Sequence, residues 1–218
     1  MTGNPGQGQT MGDYWTTDRT TRNGTTGGAR ALTAGLLMAG WVALLWILEG
    51  IDTATGNALD TYGISPREAA ELRDVVPAAF LHSGWEHLAS NSVPLLVLGF
   101  IAALAGLRRF AAVVVTIILV SGLGVWLTAP ANTITLGASG VVFGLFGYLL
   151  VRGFVDRRPW DVLIGVGVAV VYGSLLWGVL PTATGVSWQG HLFGLAGGVA
   201  AAFLFRRPRR APDNLVTV

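Results

Sequence analysis

Of 218 residues, 52% are hydrophobic and 12% are charged, roughly half the charged fraction of a soluble domain. With a mean hydropathy of +0.57 and long uncharged runs, the chain is excluded from the ordinary soluble class and reads as an all-α membrane protein. The absence of cysteine excludes disulfides and thiol chemistry.

Residues 1–30 are rich in Gly and Thr and nearly free of aliphatic side chains. They read as a disordered cytoplasmic tail, and not as a signal peptide, because no apolar core follows a basic start before residue 31. Six uncharged segments then approach the length of about 20 residues that a helix needs to cross a bilayer. They are Ala31–Leu48, Leu88–Leu107, Phe110–Leu127, Leu136–Val151, Val162–Leu180 and Trp188–Phe205. Residues 31–205 are therefore expected to form a six-transmembrane-helix bundle, followed by an Arg-rich cytoplasmic tail over 206–218.

All 14 basic residues are arginines. With the Ala, Gly and Val content, this points to a GC-rich bacterial source. Arg67 and Arg73 would lie on one side of the membrane, and every other arginine on the other. The arginine-poor side also holds most of the acids, so the 49–86 loop is placed outside and both termini in the cytoplasm of a plasma-membrane protein. Within that loop, Ser65 as N-cap, Pro66 at the first helical position and Glu68 as capping-box partner predict a short helix from 66 to about 75.

The polar residues inside the spans are few, and topology places them together. His87 and Asn91, spaced i, i+4 on one helix face, open the second span. Ser139 opens the fourth and His191 the sixth. All four fall at one depth beneath the outer surface. Glycines mark the helices that approach closely: Gly137, Gly140, Gly144 and Gly147 on the fourth span, and Gly190, Gly194, Gly197 and Gly198 on the sixth. Gly194-x-x-x-Gly198 is a small-xxx-small face, which lets backbones touch as a Ser–His hydrogen bond between two helices would require.

Each residue alone has a plainer reading. Ser139 can be a packing residue, His191 a satisfied polar group, His87 and Asn91 a helix-start cluster, and His82 a structural loop residue. A zinc site is disfavoured, because His82 and His87 at i, i+5 splay apart on a helix and no HExxH pattern is present. Neither metal nor cofactor is expected.

Together these residues resemble the rhomboid family of intramembrane serine proteases across residues 80 to 200. "HSGWEHLASN" (82–91) is similar to the family's second-span signature, "GASGVVFGLFGY" (137–148) to its nucleophile helix and "GHLFGLAGG" (190–198) to its last helix. The resemblance implies a Ser139–His191 dyad without a third acid. It also implies an oxyanion site made by the His87 and Asn91 side chains with the Ser139 backbone N–H. His82, Gly137, Gly140, Gly194 and Gly198 would support the site. Phe143 stands where many members carry a Tyr that packs on the catalytic His, and the outer loop lacks a clear Trp–Arg pair. The implied partners are transmembrane substrate proteins and the lipid bilayer, with lateral entry beside the fifth span and no nucleic acid. The alternatives are an inactive rhomboid-like scaffold and a small transporter. The transporter would show inverted repeats or charged midplane residues, and the sequence has neither.

Overall fold

A computed structural model describes residues 13–181 and 185–207 of the chain, with side chains from Gly27 onward. Among these residues there are six α-helices: α1 Asp13–Ala54, α2 Trp85–Ala103, α3 Leu107–Thr128, α4 Ser139–Asp156, α5 Pro159–Tyr172 and α6 Trp188–Leu204. No strand forms among them, and one antiparallel bridge, Ile64–Thr135, ties the α1–α2 loop to the segment before α4. Five stretches are long and apolar enough to cross a membrane: Gly27–Ala54, α2, α3, α4 and the continuous Pro159–Val179. α6 is shorter at 17 residues and is packed against α3 and α4.

The helices differ in how deeply they sit. The apolar window of α4 is 67% buried, against 17% for α1 and 11% for Pro159–Val179. α4 is therefore the central helix, while α1 and α5 turn most of their apolar surface outward, as lipid-facing helices do. In lipid there is no hydrophobic force to drive helices together, so close packing must do it. Glycine supplies it here. A Cβ at Gly194 would strike the Gly140 carbonyl oxygen, and one at Gly198 the Gly144 carbonyl oxygen. Gly147 faces α6 in the same way, 2.8 Å from the Leu195 carbonyl at its would-be Cβ.

At the end of the bundle away from the 49–86 loop, charge is neutralised inside the fold. Arg109 donates to both oxygens of Asp156, at 2.6 and 3.2 Å. Arg152, buried on α4, pairs with Asp161 on α5 at 2.5 Å. The Tyr148 ring lies between the two guanidinium groups, 5.6 Å from Arg109 and 5.8 Å from Arg152. The Arg207 backbone N–H also donates to Asp156, which fastens the end of α6 to this cluster.

Three expectations are corrected. α1 begins at Asp13, so residues 13–30 are helical where a disordered tail was predicted. A helix already nucleated by an apolar span gains one hydrogen bond per added residue and can extend through poor helix formers. Residues 1–12, and 208–218 of the Arg-rich tail, lie outside the described residues. The predicted helix from 66 to about 75 is instead a turn followed by a 3-10 helix, Ala69–Val75. Arg67 adopts a left-handed conformation, φ 65°, which no helix interior allows. Its guanidinium donates to the Ala129 carbonyl at 2.8 Å, and Trp126 Nε1 donates to the Glu68 carbonyl at 3.1 Å. The loop is thus pinned to the end of α3, and the Arg67 backbone N–H also donates to the Trp126 carbonyl at 3.0 Å. The fifth span, predicted as Val162–Leu180, is α-helical only to Tyr172 and continues as a 3-10 helix over Gly173–Val179.

The α4–α6 contact makes a direct prediction. Gly198→Ala is expected to lower stability by about 1–3 kcal/mol, because the added methyl forces two backbones apart, and thermal unfolding in detergent should show a drop of several degrees. Gly167→Ala, where nothing lies within 4 Å, should leave the midpoint nearly unchanged or raise it slightly.

Candidate active site

A cavity of about 780 Å³ opens at the loop end of the bundle. Ser139, His191, His87, Asn91 and Phe143 all line it. The structure thus brings α2, α4 and α6 to one place, with Ser139 as the first residue of α4 and His191 in the first turn of α6. The α6 start is capped by Ser187, whose Oγ accepts from the Gly190 N–H at 3.3 Å. That cap sets the entry angle of the helix carrying His191.

His191 is held on two sides. Its ring stacks on Phe143 with centroids 4.0 Å apart and planes 7° from parallel. Its Nδ1 lies 2.8 Å from the Gly178 carbonyl oxygen. A carbonyl can only accept, so Nδ1 carries the proton, and in the neutral ring Nε2 keeps its lone pair. Gly178 belongs to the 3-10 helix after α5. A Cβ there would meet Phe143 Cζ at 2.7 Å and His191 Nδ1 at 3.1 Å, so only glycine lets this strand of backbone approach the ring. Among the described residues no direct hydrogen bond joins Ser139 to His191.

His87 packs over Gly137. A Cβ at Gly137 would meet His87 Cε1 at 2.7 Å, and Gly137 itself has φ 133°, a conformation that favours glycine. Ser83 Oγ lies 3.3 Å from His87 Nδ1; a hydroxyl donating there leaves the ring proton on Nε2. Asn91 is 6% exposed, and its Nδ2 donates to the His87 carbonyl at 3.1 Å, so the amide is tethered with one N–H to spare. Its own helix thus presents the His87 ring and the Asn91 amide to the cavity, one turn apart.

His82 stands behind the cavity wall. It is 2% exposed, and its Nε2 accepts from the Ala138 N–H at 3.3 Å, immediately before Ser139. Its ring meets His87 edge to face, 5.2 Å between centroids. Burial first, and then the neighbouring His87, pulls its pKa down from 6.5 to about 4. It is a neutral ring that fixes the backbone leading into α4.

Two groups here went unpredicted. The Gly178 carbonyl is backbone, and no side-chain pattern could have announced it. Ser121, buried on α3, donates to the Gly190 carbonyl at 2.9 Å and ties α3 to the start of α6. As a hydroxyl inside an apolar span it carried a readable signal. Among the described residues no cluster of His, Asp or Glu could hold a metal ion.

Because His82 binds fewer protons folded than unfolded between pH 6.5 and about 4, stability should fall as pH drops through that window, by up to about 3 kcal/mol. Thermal unfolding at pH 7 and pH 4.5 tests this. His82→Ala is expected to be less stable at pH 7 and to lose part of the pH dependence.

Similarity to known proteins agrees with this arrangement. The Rhomboid domain family matches residues 69–208, which spans α2 to α6 and every cavity residue named above. A Mycobacterium tuberculosis (strain H37Rv) protein named "Uncharacterized protein Rv1337" is 43% identical over 200 residues, covering 88% of this chain and 83% of its own length. A Mycobacterium leprae protein named "Uncharacterized protein ML1171" is 41% identical over 189 residues, covering 83% and 75% respectively. A Bacillus subtilis protein named "Putative rhomboid protease YdcA" is 30% identical over 176 residues, covering 74% and 83%. A six-helix membrane bundle with this family domain across most of its length is a member of the rhomboid family, and the chain belongs to it.

Proposed function

We propose that this chain is an intramembrane serine endopeptidase that cleaves transmembrane segments of other membrane proteins near the outer face. The observation that carries the reading is the convergence of Ser139, His191, His87 and Asn91 from three helices on one cavity.

In this reading, Ser139 Oγ attacks the scissile carbonyl carbon and His191 Nε2 takes its proton. The bond from His191 Nδ1 to Gly178 holds the tautomer this needs. The tetrahedral oxyanion accepts hydrogen bonds from His87 Nε2, Asn91 Nδ2 and the Ser139 N–H. Those donors are in place before the charge develops, which is where such groups gain most. Ser139 at the first position of α4 adds unpaired helix N–H groups and the positive end of the helix dipole. The intermediate collapses as His191 passes its proton to the leaving amine, and a water activated by His191 then hydrolyses the acyl-enzyme. The missing Ser139–His191 bond fits a substrate-free site, whose catalytic bonds tighten when substrate binds.

The substrate follows from the location. A carbonyl in an intact helix is engaged in its own hydrogen bond, so the segment must unwind before attack, and helix breakers with small side chains will favour that. The arginine distribution supports cytoplasmic termini in a plasma membrane, with the cavity opening outward. A non-catalytic scaffold that binds membrane clients is the alternative.

Fluorophosphonate labelling and cleavage of a single-span substrate decide between them. Both signals are expected in the wild type and neither in Ser139→Ala or His191→Ala. Cleavage that persists in Ser139→Ala rejects the protease, and a wild type that neither labels nor cleaves favours the scaffold. His87→Ala, which removes one oxyanion donor, should lower kcat by about 10²–10³.

A further inference from the structure

One wall of the cavity is acidic. Asp60 lines it, carried by the 3-10 helix Ala58–Tyr62 in the α1–α2 loop. Nearby on α1 are Asp52 and Glu49, three residues apart and so on one face of that helix. Both are almost fully buried, at 4% and 3% exposure. The charged neighbours of Glu49 are Asp52 and Asp60, and Asp52 is also the charged neighbour of Asp60. Asp52 is bonded to the Leu59 N–H, next to Asp60, and Glu49 lies one turn before Asp52, so the three carboxylates are near neighbours, with Asp60 the one on the cavity wall.

None of the ion pairs among the described residues reaches the trio. The two arginines of the same loop are occupied elsewhere: Arg67 on the Leu127 and Ala129 carbonyls, and Arg73 beside Asp74. Hydrogen bonding within the fold is also incomplete. Asp52 Oδ1 accepts from the Leu59 N–H at 2.6 Å, but Glu49 Oε2 and Asp60 Oδ1 are buried without a partner. Burial, and then the Asp52 charge, pushes the Asp60 carboxyl up from its ordinary value. Like charges held together out of water are unfavourable, and an entering cation relieves that. A cation carried on a long side chain can reach Asp60 from a segment lying in the cavity.

We infer that the Asp60 wall is a specificity subsite that binds an Arg or Lys side chain of the substrate segment, close to the scissile bond. This rests on the reading of the cavity as a protease site. It narrows the substrate class to membrane segments with a basic residue near their outer end. Such a residue can lay its aliphatic stem along the apolar cavity and deliver its charge to Asp60. Asp52 and Glu49 add negative potential near Asp60 without having to touch the ligand.

The experiment uses the full chain in detergent and one neutral single-span substrate, with Arg, Gln or Glu placed in turn at each position flanking the cleavage site. Within each protein, the ratio of kcat/KM for the Arg and Gln substrates is read, which cancels any general loss of activity. At one position the wild type is expected to prefer Arg about tenfold, as a single charge-assisted hydrogen bond would give. Asp60→Asn should bring the ratio close to one, and Asp60→Arg should shift preference to the Glu substrate. If Asp60→Arg does not fold, as judged by fluorophosphonate labelling, Asp60→Asn alone carries the comparison. A wild type without Arg preference at any position, or a preference unchanged in Asp60→Asn, overturns the subsite. Binding of the same segments to Ser139→Ala separates this outcome from failure of the protease reading. Arg-selective binding without wild-type cleavage rejects the protease and keeps the subsite, while equal binding of Arg and Gln segments rejects the subsite.

Discussion

Direct backbone contact between α4 and α6 sets the geometry of everything in the cavity. The carbonyls of Gly140 and Gly144 lie where side chains at Gly194 and Gly198 would be. Ser139 precedes the first of these glycines, and Phe143 precedes the second. His191 is one turn before Gly194. A side chain at any of the contact glycines would push the helices apart by a carbon or more, and Ser139 would move away from His191 by a similar amount. At hydrogen-bonding distances a shift of about 1 Å is enough to cost orders of magnitude in rate. The packing role and the chemical role of this stretch are thus one constraint. The glycines bring the helices close, and in the proposed protease that closeness is what would let a serine and a histidine on separate helices act as a pair.

The polar side chains around the cavity are held chiefly by backbone. His191 is bonded to the Gly178 carbonyl, His82 takes the Ala138 N–H and Ser121 reaches the Gly190 carbonyl. The His82 and Ser121 bonds join positions 56 and 69 residues apart, and the His191 bond joins α6 to the 3-10 helix just before it. The choice of a carbonyl to orient His191 has a physical advantage here. A carboxylate in its place would have to be stripped of water, and that penalty can exceed the gain from pairing. A carbonyl fixes the same tautomer and carries no net charge. Stacking on Phe143 then restrains the ring in the remaining direction. For the proposed dyad, doing without a third acid suits apolar surroundings.

The features legible in the sequence were those that depend on side-chain spacing. The i, i+4 pair His87 and Asn91, the glycine faces of α4 and α6, and the three helix starts that share one depth all follow from counting residues along spans. The features that were not legible depend on backbone conformation or on competition between local preferences. Ser65-Pro66-x-Glu68 has the composition of a helix start, but Arg67 turns left-handed and spends its guanidinium on carbonyls at the end of α3. A tertiary contact there outweighs a local capping preference. The α1 start at Asp13 reverses the error: local composition argued against helix, and propagation from the span prevailed. The change from α- to 3-10 helix at Gly173 puts the Gly178 carbonyl beside His191, and no residue type in that stretch signals it.

The two ends of the bundle treat charge in opposite ways, and this asymmetry bears on how water could be admitted to one end of an apolar fold. Away from the loop, Arg109 and Arg152 are paired with Asp156 and Asp161, and Tyr148 fills the space between them. These pairs fix α3, α4 and α5 against one another and leave that end plugged by side chains. At the loop end the polar groups are spread around an open volume, and several keep a donor, a lone pair or a charge without a partner. Unsatisfied groups of this kind cost stability unless water or a ligand meets them. At the opposite end the net charges are paired, although Arg109 Nε and Arg152 Nε and Nη1 also stay buried without a partner; only the loop end opens its unmet polar groups onto a cavity. A hydrated peptide segment drawn from the bilayer would meet that demand with its own N–H and C=O groups, once its helix had opened.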